Sequence, residues 1–441
     1  MTVSAIDARI WQVGRPHQPV FTRQSAGPVT RAAYLLVALV YLRWLAGVVE
    51  NFGVPAISEV TAVTMLGFAG IIFLVSMRVA GDGAVFVAGI IAWVIVGLLS
   101  LGANNVPAPQ QSLALLMLLI LYGLMLNAMF LYPRDTVLFT ILRRFLTFFI
   151  VVGVALSALQ IVTQSGFVEA GRLDQQRAFG SDVHPVSFAI QMLAALVAFE
   201  ALRVRSGRRF TIYHATILCA GAVAIYLTQA RTVWVMALIT LAITVLARAN
   251  WLTRVGFVLI TLPLCPATIT LSDRFSDLAS LSAFWENFSI HDIVFDFRYI
   301  DNSVSWRIVN WAYGFQQALE QPILGFGPGQ SASASQFSLE MHNIFLETFF
   351  EGGIIGLSAF LLLLIGLFRI HCALPRLTPA EKYSTTLVNG FGTALLLAVT
   401  FSTSFVDQLM SFLIYGVALC VAGTRSELEQ APIAGTDQAL P

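Results

Sequence analysis

The sequence predicts an all-α integral membrane protein that crosses a bilayer about twelve times, and three features support that fold class. Of its 441 residues, 57% are hydrophobic and 11% are charged, whereas about a quarter of the residues in an average soluble domain are charged. Apolar runs of about 17 to 25 residues, long enough to cross roughly 30 Å of hydrocarbon, recur along the chain. Lysine and arginine are concentrated in alternate loops between these runs.

The apolar runs set the order of the elements. A polar N-terminal segment, residues 1–30, has no short apolar core before a small-residue cleavage site, so we expect the first span to act as the targeting signal. Six spans fall within 31–204 and six within 205–425, and residues 426–441 form a polar tail. The predicted spans are 33–49, 60–77, 84–101, 113–131, 145–162, 185–202, 211–227, 232–247, 255–271, 344–368, 384–401 and 405–422.

The basic residues predict how the chain is oriented. Cytoplasmic loops carry an excess of lysine and arginine, and here the terminal segments belong to the basic set of loops. The N-terminal segment and the C-terminal tail are therefore both predicted to be cytoplasmic. The arginines of the non-cytoplasmic loops are Arg172, Arg177, Arg231, Arg274, Arg298 and Arg307.

One non-cytoplasmic loop, residues 272–342 between the ninth and tenth spans, is about 70 residues long, and loops of that length are usually functional elements. Within it, the apolar spacing over 305–320 predicts an amphipathic helix. Two interpretations of this helix stay open: it carries functional residues, or it only anchors at the lipid headgroups. Its apolar stripe is Ile308, Trp311, Ala312, Phe315 and Leu319, and Arg307, Asn310, Gly314 and Gln317 lie on a different side.

Several residues suited to chemistry lie in the non-cytoplasmic loops. The Gly- and Pro-rich segment 322–329 cannot continue a helix and predicts a tight turn with close backbone approach. His342, directly before the tenth span, has a side chain suited to general-base work near neutral pH, although a lone histidine there is usually only an interfacial polar residue. Arg177 and Arg231 could approach the same vestibule, and arginine clamps phosphate bidentately. Several arginines with one histidine suit a lipid substrate that carries a diphosphate.

Other functional classes are disfavoured. The charges of the 25 basic and 24 acidic residues nearly cancel. The chain therefore has no large net positive charge with which to bind nucleic acid. We find no phosphate loop of the nucleoside triphosphatase type and no metal-binding signature, so no cofactor is expected. The four cysteines lack the spacing of a metal site and are expected to be free thiols. Glu347 and Glu351 could be proton or ion ligands, but a solvated helix start is the more economical interpretation.

An ordered set of residues lies between Ser305 and Gly356, with further members upstream. They are Arg307 with Trp311, Pro322 with Gly325 and Gly327, His342 with Asn343, then Leu346, Glu351, Gly353 and Gly356, and upstream Arg177 with Gly180. The set between Ser305 and Gly356 resembles the signature region of the bacterial O-antigen ligase and polymerase superfamily, and a weaker resemblance extends back to Arg177.

Two upstream positions depart from the family pattern. Ala230 stands where the family usually has a serine before the arginine at position 231. His184 and Pro185 stand where Pro-Asn is more usual. The first departure keeps Arg231, the residue that would contact phosphate. The second makes the match of the segment around Arg177 to the family pattern less close.

The resemblance implies a glycosyltransferase at the periplasmic face of the bacterial inner membrane, with an undecaprenyl-diphosphate-linked oligosaccharide as donor and without nucleotide or metal. Arg231 and Arg307 would hold the donor diphosphate and stabilise the leaving group. His342 would orient or deprotonate the acceptor hydroxyl. The acceptor would be lipid A core for a ligase and another glycan for a polymerase. Arg177, Asn343, Gly325 and Gly327 would complete the substrate-binding site, and residues 205–425 would form the O-antigen ligase-like domain.

A transporter or a flippase for lipid-linked glycans is the alternative, because about twelve spans with both termini inside is also common among transporters. Such proteins often have two related halves. Here the second half carries one very long loop and the first half does not, which favours the transferase.

Overall fold

The computed structural model describes residues 84–104, 136–163, 184–248, 250–257, 303–334, 340–374, 378–401 and 409–423, together with a few single positions. All regular structure in these residues is helical, so the predicted all-α class is confirmed for them. The helices are α1 (Ala84–Ala103), α2 (Thr136–Thr163), α3 (Pro185–Arg205), α4 (Ile212–Leu227), α5 (Arg231–Arg248), α6 (Ser303–Ala318), α7 (Ser331–Ala334), α8 (Ile344–Ala373), α9 (Pro379–Phe401) and α10 (Leu409–Gly423).

Several of these helices are long and apolar enough to cross a membrane. Among the described residues they are α1, α2 from Phe139 onward, α3, α5, α8 and α9, and α4 is a shorter apolar helix. The chain is therefore a multi-pass membrane protein. Helices α4 and α5 are separate despite the short turn between them. The predicted spans at 33–49, 60–77, 113–131 and 255–271 lie almost wholly outside the described residues, so the count of twelve, the orientation and the domain limits stay predictions.

Helices α1 and α8 pack antiparallel, with glycines at the contact. A Cβ atom on Gly89 of α1 would lie 2.5 Å from the backbone nitrogen of Leu363, and one on Gly366 of α8 would lie 2.2 Å from that of Phe86. Small residues of this kind let membrane helices approach closely enough for their backbones to touch. The pairing aligns the end of α1 with the first turns of α8.

Helix α3 lies at the centre of the described bundle, against α2, α4, α5, α9 and α10. Nearly all of its residues up to Leu202 are buried, which explains why it is apolar around its whole circumference. Its start is well defined: Pro185 occupies the first turn, and Nδ1 of His184 accepts a hydrogen bond from the N–H of Val186 at 3.3 Å. At its other end Arg205 forms a buried ion pair with Glu381, at 3.0 Å.

Helix α8 is broken at Gly353. This residue has φ +61° and ψ −161°, a conformation essentially restricted to glycine. In an unbroken helix the N–H groups of Ile354 and Ile355 would bond to the carbonyls of Phe350 and Glu351. The break separates both pairs, and four backbone groups need other partners.

A second part of the chain, which we call the inserted segment (residues 322–327), supplies these partners. The N–H of the residue after the break donates to the carbonyl of Pro322 at 2.8 Å, and the next N–H donates to that of Ile323 at 3.5 Å. The two released carbonyls accept hydrogen bonds from the N–H groups of Phe326 and Gly327, each at 2.9 Å. The inserted segment thus replaces the two lost helical hydrogen bonds with four hydrogen bonds of its own, which fix it against α8.

Candidate functional site

His342 lies directly before α8 in a backbone conformation that few side chains adopt. Its φ is +50°, in the left-handed region, which costs a residue with a Cβ atom roughly 1 kcal/mol or more. Asn343 follows as the N-cap of α8, and its Oδ1 accepts hydrogen bonds from the N–H groups of Phe345 and Leu346, both at 3.1 Å. The cap satisfies two of the open N–H groups of the first turn. The backbone conformation of His342 and the cap that follows it therefore fix the imidazole at the N-terminal end, or head, of α8.

Helix α6 anchors the residues that lead into His342. Nε1 of Trp311 donates to the carbonyl of Met341 at 2.7 Å, and Nδ2 of Asn310 donates to that of Glu340 at 3.0 Å. Gly314 allows the close approach, because a Cβ atom there would lie 2.3 Å from Sδ of Met341. Asn310 and Gly314 of the predicted polar side and Trp311 of the predicted apolar stripe therefore all contact this turn.

The immediate surroundings of His342 are cationic and aromatic. Its ring lies 6.0 Å from that of Trp306, centroid to centroid. Burial, then the positive charge of Arg307, then that of His184 lower the pKa of His342 to about 4. Burial also lowers the pKa of Arg307 from its ordinary value, but arginine keeps its charge in proteins. At neutral pH the site holds a neutral imidazole beside a guanidinium.

One nitrogen of this imidazole is unsatisfied. Nδ1 of His342 is buried and has no hydrogen-bond partner among the described residues. Leaving a buried polar group unpaired costs about 1 to 3 kcal/mol, and the left-handed backbone adds to that cost. Strain and an unpaired polar atom at one residue are typical of functional positions.

Arg231 is the first residue of α5 and follows a tight turn. Gln229 in this turn has φ +51°, and the N–H of Ala230 donates to Oγ1 of Thr228 at 3.2 Å. Thr228 thus supplies a side-chain oxygen in the turn where the family usually has serine. A cation at a helix N-terminus opposes the helix dipole, by roughly 0.3 to 1 kcal/mol, which favours a functional reason for Arg231.

The segment before α3 connects the Arg231 turn to His342. The N–H of Ala178 donates to the carbonyl of Leu227, directly before that turn, at 3.1 Å. His184, at the end of the same segment, lies near enough to His342 for the charge of His184 to lower the pKa of His342. The starts of α3, α5 and α8 therefore lie at one end of the bundle.

Gly325 and Gly327 lie against the N-terminal part of α8, just before the break. Both have positive φ, +63° and +109°, and a Cβ atom on Gly325 would lie 2.5 Å from the backbone of Glu351. The carbonyl of Gly325 also accepts from Nδ2 of Asn104, at the end of α1, at 2.6 Å. The predicted tight turn with close backbone approach is confirmed.

The expectation that Glu347 and Glu351 form a solvated helix start is wrong. The two residues are only 4% and 6% exposed. Oε1 of Glu351 accepts from the N–H of Ser331 at 3.2 Å, and Oε1 of Glu347 lies 3.5 Å from the hydroxyl of the same serine. The acids are buried because the turn after the inserted segment folds over them and supplies hydrogen-bond donors.

The structure brings part of the predicted site together. Arg307 on α6 lies near enough to His342 for its charge to lower the pKa of the imidazole, and Asn343 caps α8 directly after His342. Arg231 lies at the same end of the bundle. Arg177 lies outside the described residues, although its neighbour at position 178 is described. Contacts of any of these residues with substrate stay predictions.

Sequence reasoning treated His184 only as a departure from the family pattern. The structure makes it both the cap of α3 and a neighbour of His342. Its place directly before Pro185 was the available signal, because a residue before an N-terminal proline often caps the helix. Cys219 and Cys372 are free thiols, as expected, and no group of three His, Cys, Asp or Glu residues in the described part of the chain is arranged to hold a metal.

A comparison with known families matches residues 214–361 to the family model described as O-antigen ligase. Over these residues the chain is similar to O-antigen ligases. The match contains Arg231, Arg307, His342, the inserted segment and the break in α8, and it confirms the resemblance found in the sequence. No curated protein matches the chain at a significant level.

The O-antigen ligase match indicates a class of activity. The family implies a membrane glycosyltransferase-like ligase activity that acts on lipid-linked glycans. The matched residues include all three side chains predicted to do chemistry, and they lie inside the predicted domain at 205–425.

Proposed function

We propose that the protein transfers a glycan from undecaprenyl diphosphate to an acceptor hydroxyl at the periplasmic face of the bacterial inner membrane. The acceptor is lipid A core if the protein is a ligase, or another glycan if it is a polymerase. The observation that carries the proposal is the neutral, strained imidazole of His342 beside the guanidinium of Arg307.

His342, Arg307 and Arg231 have separate roles in the proposed reaction. His342 takes the proton from the acceptor hydroxyl as its oxygen attacks the anomeric carbon of the donor sugar. The bond from that carbon to the diphosphate breaks, and the diphosphate leaves with the bonding electrons. Arg307 and Arg231 stabilise the charge on the leaving group. An inverting displacement of this kind requires acceptor and diphosphate on opposite faces of the sugar. We propose that no metal takes part, because the two guanidiniums supply the positive charge.

The remaining predicted residues act by position. Asn343 and the glycines at 325 and 327 border the donor site, and Arg177 adds a further guanidinium from the segment before α3. Asn343 caps α8 at the same time, so its variants separate capping from substrate contact.

Single variants test the roles. His342→Ala and Arg307→Ala should each abolish transfer at normal protein abundance. The first removes the base, and the second removes a guanidinium that binds the diphosphate. Arg307→Lys should also be impaired, since lysine keeps the charge and loses the planar fork. Activity should be compared at equal abundance in the membrane. Normal transfer in either alanine variant would remove that residue from the mechanism.

A deletion in the native host separates the possible reactions. Lipid-linked and surface glycans are separated by size, before and after re-expression of the wild type and of His342→Ala. Long glycan retained on the carrier lipid identifies a ligase, and single repeat units identify a polymerase. Glycan unchanged in size and location would contradict the transferase.

A further inference from the structure

Helix α6 presents three different faces over its second half. Gly314 packs against the turn before α8, as described above. One residue further on, about 100° round the helix, Phe315 is 52% exposed, and Leu319 in the turn directly after α6 is 53% exposed. Gln316, a further 100° round, and Glu320 in the same turn are exposed polar residues. A helix surrounded by water would not place apolar side chains of this size outward.

The exposed apolar face of α6 continues onto α8. The ring of Phe315 lies 6.1 Å from that of Phe349. Ile323, which is 62% exposed, belongs to the inserted segment, and its carbonyl accepts from the N–H of Ile355. The adjacent Ile354 and Ile355 are 52% and 44% exposed on α8. We call these exposed apolar residues together the outer apolar strip; it consists of Phe315, Leu319, Ile323, Ile354 and Ile355.

The length of α8 sets the level of the strip in the membrane. The part of α8 after the break runs from Ile354 to Ala373, about 30 Å at 1.5 Å per residue, which matches a hydrocarbon thickness of about 30 Å. Residues 344–353, before the break, therefore lie beyond the hydrocarbon. The polar Asn104 at the end of α1 bonds to Gly325, and Gly325 contacts Glu351. The hydrocarbon surface thus lies close to the break in α8, and the strip crosses it.

We propose that the outer apolar strip rests in the acyl chains of the leaflet on the His342 side, so that α6 lies at the surface of the bilayer. The occupant is lipid, because the strip merges into the exposed surface of a membrane-spanning helix at the level of the hydrocarbon boundary. Gln316 and Glu320 on the neighbouring face then meet headgroups and water. His342 and Arg307 lie just above the hydrocarbon. This proposal does not depend on the reaction that the site performs.

Spin-label depth measurements test the proposal. The four native cysteines are replaced by alanine, and single variants Phe315→Cys, Leu319→Cys and Ile323→Cys carry a nitroxide in nanodiscs of phosphatidylethanolamine and phosphatidylglycerol. Gln316→Cys on α6 and Glu320→Cys in the turn after it are the matched controls. Collision rates with oxygen, which concentrates in acyl chains, are compared with those of a water-soluble nickel complex.

The ratio of oxygen to nickel collisions should be several-fold higher at the three strip positions than at the two controls. Equal ratios at all five positions would mean that the strip faces water, and would overturn the proposal. Low collision rates with both reagents at the strip positions would mean that protein covers it, such as a second copy, and would overturn it equally. Size-exclusion profiles matching the cysteine-free parent establish that each labelled variant is folded.

Discussion

The break in α8 provides a prediction whose size follows from the geometry. In Gly353→Ala the new Cβ atom would lie 2.2 Å from the carbonyl oxygen of Ile323, in a backbone conformation that costs a non-glycine residue about 1 to 3 kcal/mol. Moving the inserted segment away would also weaken the two hydrogen bonds that its carbonyls accept, at roughly 1 kcal/mol each. The variant should lose about 3 to 5 kcal/mol of folding free energy.

A neighbouring glycine supplies the control. A Cβ atom on Gly352 would meet nothing closer than Cγ1 of Val96, at 3.8 Å, which is ordinary van der Waals contact. Alanine is favoured over glycine within a helix by about 0.5 to 1 kcal/mol, so Gly352→Ala should be neutral or slightly stabilising.

Thermal unfolding of the purified variants in nanodiscs, followed by tryptophan fluorescence at one scan rate, measures the difference. At about 2 °C per kcal/mol for a large domain, Gly353→Ala should lower the midpoint by roughly 6 to 10 °C. Similar midpoints for the two variants would refute the idea that the inserted segment and the break stabilise each other.

Two further predictions concern the head of α8. Because His342 must be neutral to act as the base and its pKa is about 4 without substrate, kcat/KM should fall only as the pH drops through about 4. The bound diphosphate offsets the charge of Arg307 and raises that pKa, so kcat should fall at a higher pH; coincident profiles measured in transfer assays would contradict this. Asn343→Ala should lower the thermal midpoint because the cap contributes about 1 kcal/mol, and Asn343→Asp should restore it. A restored midpoint with transfer still lost would assign substrate contact to Asn343, whereas no loss of stability in Asn343→Ala would contradict the capping role.

Hydropathy and motif order predicted much of the architecture. The apolar runs that match the described helices were found because a span must be apolar over its full length. The helix predicted over 305–320 from the apolar spacing is found at 303–318, and the turn after Pro322 was predicted from the Gly- and Pro-rich composition. Pattern arguments of this kind work where a single segment determines its own structure.

The rest depends on contacts between distant segments. The pair Gly352–Gly353 inside an apolar run signals close packing, but not that residues 322–327 replace the lost hydrogen bonds. The burial of Glu351 follows from that insertion, so the local prediction of a solvated acid was wrong. The left-handed backbone of His342 likewise results from anchors on α6 and α8 together, and a lone histidine in the sequence gives no sign of it.

The proposed transfer is tested most directly by a reaction with purified protein in lipid vesicles and a defined undecaprenyl-diphosphate-linked glycan, with a chelator present. We expect release of undecaprenyl diphosphate in equal amount to new glycosidic bonds on the acceptor, and loss of both products in His342→Ala. Glycan that crosses the vesicle membrane unaltered, without release of undecaprenyl diphosphate, would contradict the transferase and indicate a transporter.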